Sequence, residues 1–196
     1  PASEIELWVK SKPDNTLFIA DEAYAEYVSD PNFKSMANLI QDGLDNVVLL
    51  KTFSKLYAMA GMRVGFAVGA PAIIKMMKDQ VAGEKLNYPG VTAALVSLDD
   101  EPFQEYSRAS NLESRKILAS CFDKLGVKYL PSSTNFMFFE LNEPIHAFQK
   151  KMAARNILVG RPFPPAMTWC RISLGTPQEM AYVANELTKM RAEGVF

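Results

Sequence analysis

The residues best placed to do chemistry surround Lys55, which stands between two short apolar runs. The runs, Val47–Leu50 and Val64–Val68, are each short enough for a buried strand. A lysine held in a partly desolvated place becomes an amine nucleophile, and it can form a Schiff base with an aldehyde. Hydroxyl and guanidinium groups can hold a phosphate, because they donate hydrogen bonds to its oxygens. The groups of this kind around the lysine are Thr52, Ser54 and Arg63.

The string Val47–Gly69 resembles the cofactor-lysine segment of the fold-type I pyridoxal-phosphate-dependent aminotransferases. In that family a hydroxyl residue lies three positions before the lysine and an arginine eight positions after it, as Thr52 and Arg63 do here. The resemblance implies that pyridoxal 5'-phosphate is the cofactor and forms a Schiff base with Lys55. It also implies that Thr52, Ser54 and Arg63 bind the cofactor phosphate. Lys55 is then expected to transfer the α-proton of the substrate. A solvated loop lysine would explain the Ser-Lys pair alone, but not the whole string.

A second group of candidates follows the strand that the sequence predicts at Leu17–Ala20, where Asp21 is followed three residues later by Tyr24. Catalytic groups in open α/β sheets commonly lie at the carboxyl ends of strands. Acidic residues in the first turn of a helix are the simpler alternative. The same family has an aspartate and a tyrosine at this spacing. The resemblance implies that Asp21 pairs with the protonated pyridine nitrogen of the cofactor and that Tyr24 donates a hydrogen bond to the ring oxygen.

Two arginines near the end of the chain are candidates for substrate binding. Arg171 lies within the predicted strand Trp169–Leu174, where an arginine is costly to bury unless an anion pairs with it. A structural ion pair would meet that need, but the string CRISLGT resembles the family's R-I-x-x-G-T, which implies that Arg171 binds the substrate carboxylate. In the histidinol-phosphate aminotransferase group, a second arginine about a dozen positions earlier contacts the substrate phosphate. In this sequence Arg161 precedes Arg171 by ten positions. Arg161 could equally stabilise the proline-rich loop in which it lies.

Composition narrows the classes of function. The 196 residues are 48% hydrophobic and 22% charged, which is typical of a globular protein with a real core. A net charge of −1 gives no reason to expect nucleic acid or an anionic membrane as partner. Cys121 and Cys170 lack metal-ligand spacing, so we expect no metal site. His146, the single histidine, lies in a predicted helix, where a lone histidine is more often a surface or capping residue than a catalyst, so a Ser-His-Asp triad is not expected.

The order of predicted elements indicates an α/β fold. Combined with the resemblance, it predicts the C-terminal part of the fold of pyridoxal-phosphate-dependent transferases: a remnant of the large-domain sheet and a small α+β domain. We assign 1–102 to the large cofactor-binding domain and 103–196 to the small domain. The small domain is predicted to begin with one long amphipathic helix, Phe103–Leu125. Its predicted strands before Trp169 are Val127–Leu130, Asn135–Leu141 and Ile157–Val159.

The resemblance covers only the C-terminal part of the family's pattern. The family's Gly-rich loop, its ring-stacking aromatic residue and its N-P-x-x-P-T-G segment all lie upstream of the matching part. We therefore expect an N-terminal segment or another chain to supply them, and we expect these residues alone to bind the cofactor weakly. Relatives imply a cytoplasmic homodimer that acts on small molecules.

The predicted function is transfer of an amino group, in amino acid biosynthesis, between an amino acid or amino-alcohol phosphate and a 2-oxo acid. Histidinol phosphate is the favoured amino donor. An aromatic amino acid aminotransferase and an enzyme like threonine-phosphate decarboxylase are alternatives on the same scaffold. A truncated, non-catalytic interaction domain is an alternative of another class.

Overall fold

The computed structural model describes residues 2–11, 15–81 and 86–195. The chain divides into two compact units, Pro1–Gln104 and Glu105–Phe196. The assignment of 1–102 to a large cofactor-binding domain and of 103–196 to a small domain stays a prediction. None of the helices in the described ranges combines the length and the apolar character that crossing a membrane requires.

The first unit alternates short strands with helices. Its strands are β1 (Phe18–Asp21), β2 (Val47–Thr52) and β3 (Gly65–Gly69). Its α-helices are α1 (Ala2–Lys10), α2 (Ala37–Gln41), α3 (Pro71–Asp79) and α4 (Tyr88–Asp99). Two short 3₁₀ turns, Ala25–Tyr27 and Ala60–Met62, follow β1 and precede β3. The helix α5 (Glu101–Leu125) begins in this unit and continues into the second.

The three strands form one sheet in the order β1-β2-β3, with β1 parallel to β2 and β3 antiparallel to β2. The carboxyl ends of β1 and β2 and the start of β3 therefore lie at one edge of the sheet. The apolar residues of β2 explain its place in the centre, since Val47 and Val48 are fully buried. Helices α1 and α2 cover one face, where Val9, Phe18 and Leu39 pack with Val47.

The second unit packs helices on a two-stranded antiparallel sheet. Its elements after α5 are β4 (Phe136–Glu140), α6 (Ile145–Ala153), β5 (Trp169–Ser173) and α7 (Pro177–Ala192). Its core includes the fully buried Phe122, Phe139 and Phe148. The last helix, α7, begins with a capping box. The Thr176 hydroxyl accepts a hydrogen bond from the Glu179 amide at 3.3 Å, and the Glu179 carboxylate accepts one from the Thr176 amide at 2.7 Å.

Two of the predicted strands are wrong. Val127–Leu130 forms only an isolated bridge, between Tyr129 and Phe139, and the proline that follows Leu130 has no amide to extend the pairing. Ile157–Val159 is not a strand either. The Ile157 amide donates at 3.0 Å to the Met152 carbonyl and closes the end of α6, after Asn156 has turned the chain in a left-handed conformation.

Candidate functional site

The six residues predicted to hold the cofactor come from three chain segments that meet at one edge of the first unit's sheet. Asp21 ends β1 and pairs with Leu50 of β2. Thr52 ends β2 and pairs with Gly65, which begins β3. Paired residues of neighbouring strands point to the same face, so the side chains of Asp21 and Thr52 lie on one face of the sheet.

Lys55 follows β2 directly, and its amine lies 5.2 Å from the centre of the Tyr24 ring. Both side chains are half-buried. The loop that carries Lys55 is held by the buried side chains of Phe53 and Leu56 on either side of it. An ammonium above an aromatic face at this distance gains about 0.5–1 kcal/mol, which restricts where the amine lies. Parallel pairing of β1 with β2 thus brings together two residues that sequence reasoning had placed after separate strands.

The hydroxyl of Thr52 shapes the turn that leads to the lysine. Its Oγ1 accepts a hydrogen bond from the Ser54 amide at 3.1 Å and donates to the Val64 carbonyl at 3.5 Å. The Phe53 amide donates to the same carbonyl at 3.1 Å. These bonds join the segment before Lys55 to Val64, the residue after Arg63. The hydroxyl of Thr52 and the guanidinium of Arg63 therefore belong to the same edge of the sheet.

Arg63 has a left-handed backbone conformation, with φ 55° and ψ 45°. This conformation costs a residue with a Cβ about 1–2 kcal/mol, and Ala58 in the same loop adopts it too, with φ 54°. The Arg63 guanidinium donates to the Ala60 carbonyl at 2.9 Å. Asn87 fixes the neighbouring residue, because its amide donates to the Met62 carbonyl at 2.7 Å while its oxygen caps α4. Strain of this kind, held in place by surrounding bonds, is typical of functional loops.

Asp21 is exposed, and its Oδ1 accepts a hydrogen bond from the Ala23 amide at 3.1 Å. This bond fixes the carboxylate at the end of β1. Within the described ranges, no three His, Cys, Asp or Glu side chains come close enough together to hold a metal ion.

Sequence reasoning did not single out Lys51, which lies in β2 and forms ion pairs with Glu22 and Glu26. The signal that could have found it is a charged residue directly after the apolar run Val47–Leu50, within the length of a strand.

Arg171 and Arg161 lie in the second unit, and both contact the ring of Phe163. Arg171 pairs with Phe138 across the sheet, and its guanidinium carbon is 5.1 Å from the Phe163 ring centre and 4.8 Å from that of Phe136. The guanidinium carbon of Arg161 is 4.4 Å from the Phe163 ring centre. Among the described residues, Arg171 forms no ion pair with a carboxylate. Its guanidinium is held by aromatic faces, which leaves its donors for an anion.

The side chains at the edge of the first unit fit one kind of ligand. They offer an amine, a carboxylate, a phenol, two hydroxyls and a guanidinium, from Lys55, Asp21, Tyr24, Thr52, Ser54 and Arg63. An amine matches an aldehyde, a carboxylate matches a protonated ring nitrogen, and hydroxyls with a guanidinium match a phosphate. The donor set therefore fits an aromatic aldehyde that carries both a ring nitrogen and a phosphate.

Comparison with protein families gives a match over residues 3–187 to the model described as aminotransferase class I and II. Among curated proteins, the histidinol-phosphate aminotransferase of Symbiobacterium thermophilum is 35% identical over 187 residues, which is 93% of this chain and 50% of that protein. That of Moorella thermoacetica is 32% identical over 174 residues, 88% of this chain and 45% of that protein. The chain thus spans about half the length of the curated relatives it matches.

Two of the solved structures that resemble this chain match all or nearly all of it. One, from Erwinia carotovora atroseptica SCRI1043, has a provisional assignment as a histidinol-phosphate aminotransferase. It superposes with a TM-score of 0.97 at 52% identity, over 100% of this chain and 57% of that chain. The other is the histidinol-phosphate aminotransferase of Sinorhizobium meliloti in complex with pyridoxal-5'-phosphate, with a TM-score of 0.86 and 25% identity over 98% of this chain and 53% of that one. The α/β fold is therefore shared over about half of each of these chains.

Proposed function

The chain belongs to the class I and II aminotransferases, and on this basis we propose that the complete protein transfers an amino group between an amino donor and a 2-oxo acid. The observation that carries the proposal is the amine of Lys55 held 5.2 Å from the Tyr24 ring, where β1 and β2 end. A lysine in this position suits a reaction that needs both a nucleophilic amine and a carrier of protons.

Pyridoxal 5'-phosphate is the proposed cofactor, and when bound it supplies an electron sink for the charge left on the substrate α-carbon. Asp21 would hold the ring nitrogen in its protonated state, because a carboxylate favours a positive charge beside it. Thr52, Ser54 and Arg63 would hold the phosphate through charge-assisted hydrogen bonds. Tyr24 would donate its phenol proton to the ring oxygen.

Lys55 is proposed as the group that moves the proton of the reaction. As a neutral amine, its Nζ can take the proton from the substrate α-carbon, and as an ammonium it can return one to the neighbouring acceptor carbon. The buried residues Phe53 and Leu56 limit the movement of its backbone. The Tyr24 ring limits where the charged amine lies between the two transfers.

Histidinol phosphate is the amino donor that we propose in particular. The support comes from the family resemblance and from Arg161 and Arg171, two cations that contact one ring, Phe163. Arg161 would bind the phosphate of this donor, which has no carboxylate. Arg171 would bind the carboxylate of the 2-oxo acid with two parallel hydrogen bonds. An amino donor with a neutral aromatic side chain would offer no anionic group for Arg161 to bind.

The assembly and location of the complete protein are also proposals. Helix α4 presents large apolar side chains to solvent, including Tyr88, Leu95 and Val96, and a surface of this kind is usually covered by a partner. This supports a homodimer. Cys121 and Cys170 are free thiols, as is usual in a reducing compartment, and this supports a cytoplasmic location.

The experiment that tests the function uses the complete translation product that contains these residues, loaded with pyridoxal phosphate. Histidinol phosphate, an aromatic amino acid and threonine phosphate are each offered with 2-oxoglutarate, while glutamate and carbon dioxide are measured. We expect glutamate from histidinol phosphate in preference to the others, without release of carbon dioxide. Carbon dioxide from threonine phosphate, or no turnover of any amino donor, would contradict the proposal.

A further inference from the structure

Lys51 connects two carboxylates that stand on either side of Tyr24. Its amine lies 2.9 Å from Oε1 of Glu26 and 3.2 Å from Oε2 of Glu22. All three side chains are largely sheltered from solvent, with exposed fractions of 18% for Lys51, 10% for Glu22 and 21% for Glu26. An ion pair sheltered in this way is strongly coupled, so loss of one partner leaves the others with uncompensated charge.

The segment between the two glutamates is a pair of tight turns that carries Tyr24. The Ala25 amide donates to the Glu22 carbonyl at 3.1 Å, and the Tyr27 amide donates to the Tyr24 carbonyl at 3.1 Å. These local bonds set the shape of the turns, but they do not attach them to β2. The Glu22 amide joins the start of the segment to β2 by donating to the Leu50 carbonyl at 3.0 Å. The ion pairs of Lys51 add an attachment through side chains at both glutamates.

Glu22 is anchored a second time, on the side of α2. Its Oε1 accepts a hydrogen bond from the Met36 amide at 2.7 Å, and its Oε2 accepts one from the Ser35 hydroxyl at 2.8 Å. Adjacent residues of a strand point to opposite faces, so Lys51 of β2 lies on the helix-covered face with Val47, opposite to Thr52 and Asp21. Glu22 meets Lys51 on the helix-covered face. The network is therefore outside the donor set that faces the proposed cofactor.

We propose that Lys51 is a positioning residue, whose ion pairs with Glu22 and Glu26 hold the Tyr24 turns against the strand that leads to Lys55. The distance between the Lys55 amine and the Tyr24 ring depends on this attachment, because each ion pair joins one side of the Tyr24 segment to β2. The inference rests on the proposed function for its effect on turnover, whereas the attachment itself is independent of it.

The charge state of Lys51 supports the same conclusion. Burial acts to lower the pKa of Lys51, but the hydrogen bonds and charges of Glu26 and Glu22 outweigh it and raise the pKa above its ordinary value of 10.5. The amine is therefore charged at neutral pH. Its ion pairs are present from neutral pH up to pH 10.5, and they are lost as the pH rises further, through the raised pKa of Lys51.

The test compares Lys51→Met with Lys51→Arg in the complete protein without cofactor. Hydrogen–deuterium exchange is measured on the peptide that spans 22–27, and acetylation of Lys55 is followed by mass spectrometry. In Lys51→Met we expect exchange at least about tenfold faster in that peptide and faster acetylation of Lys55. Lys51→Arg should restore most of the protection, because a guanidinium can reach both carboxylates.

Two further variants separate positioning from general stability. Glu26→Gln keeps the size of the side chain and removes one charge, so it should reproduce the effect if Lys51→Met fails to fold. Lys75→Met breaks an exposed ion pair with Asp79, whose side chains are 76% and 57% exposed, and it should change neither readout. A purely structural role would lower the melting temperature of Lys51→Met and leave the acetylation rate of Lys55 as in the unmodified protein.

Turnover distinguishes failure of this inference from failure of the proposed function. With cofactor bound, kcat of Lys51→Met should fall about 10- to 100-fold, because misplacement of a catalytic group by about 1 Å has that effect. Unchanged exchange and acetylation in both Lys51→Met and Glu26→Gln would overturn the inference, even in an active enzyme. An unmodified protein without aminotransferase activity would refute the function, while exchange and acetylation would still decide whether Lys51 positions Tyr24.

Discussion

The amine of Lys55 lies 5.2 Å from the centre of the Tyr24 ring, although the two residues follow different strands. The relationship arises from the parallel pairing of β1 with β2, in which Asp21 stands opposite Leu50. Because both strands end at the same edge, residues shortly after each end meet there. The candidate site is therefore a consequence of strand register rather than of any long loop.

Asp21→Asn should lower kcat about 100- to 1,000-fold in the complete enzyme, because the charge that would keep the ring nitrogen protonated is lost. The variant keeps an oxygen that can accept the hydrogen bond from the Ala23 amide. Asp30→Asn is a matched control, since Asp30 accepts the same kind of bond from the Asn32 amide at 2.8 Å. Steady-state kinetics of both variants check this prediction, and equal activities would contradict it.

Much of the local structure could be predicted from the sequence, because the signals are themselves local. The apolar run at Val47 predicted a buried strand, and that run forms the start of the central strand β2. The spacing of Thr52 and Arg63 around Lys55 likewise needed no knowledge of the fold, and it led to the family to which the chain belongs.

Contacts between distant segments could not be predicted in this way. The joining of Glu22 and Glu26 by Lys51, and the contact of Arg161 and Arg171 with Phe163, depend on which segments the fold brings side by side. The incorrect strand at Ile157 shows the same limit. Its apolar residues fit a strand, but its amide is used to close α6.

Arg161→Gln should raise KM for a phosphorylated amino donor about 10- to 100-fold, since a hydrogen bond between charged groups contributes about 1.5–3 kcal/mol. KM for the 2-oxo acid should change little, because that substrate is assigned to Arg171. Lys128→Gln is the matched control, since Lys128 is also a cation above an aromatic ring, 5.6 Å from the centre of Trp169. Equal rises in KM for both substrates would argue against a phosphate contact at Arg161.

Cys170 should resist alkylation in the folded protein, because burial raises its pKa from the ordinary value of 9.0 to about 12. The thiolate is the reactive form, so iodoacetamide at pH 8.5 should modify it about 1,000-fold more slowly than in the urea-unfolded chain. The burial favours the thiol form and adds stability below pH 9, which is lost as the pH rises towards 12. Mass spectrometry of both states measures the rates, and rapid modification of the folded protein would show that Cys170 is accessible.

Covalent trapping tests the central claim that Lys55 is the amine that engages the cofactor. The complete protein is loaded with pyridoxal phosphate, reduced with borohydride, digested and mapped by mass spectrometry. We predict the added mass on the peptide with Lys55, its loss in Lys55→Ala together with at least about a 10⁴-fold fall in kcat, and no effect of Lys34→Ala at an exposed lysine. Trapping at another lysine of the unmodified protein, or near-normal turnover by Lys55→Ala, would contradict the account.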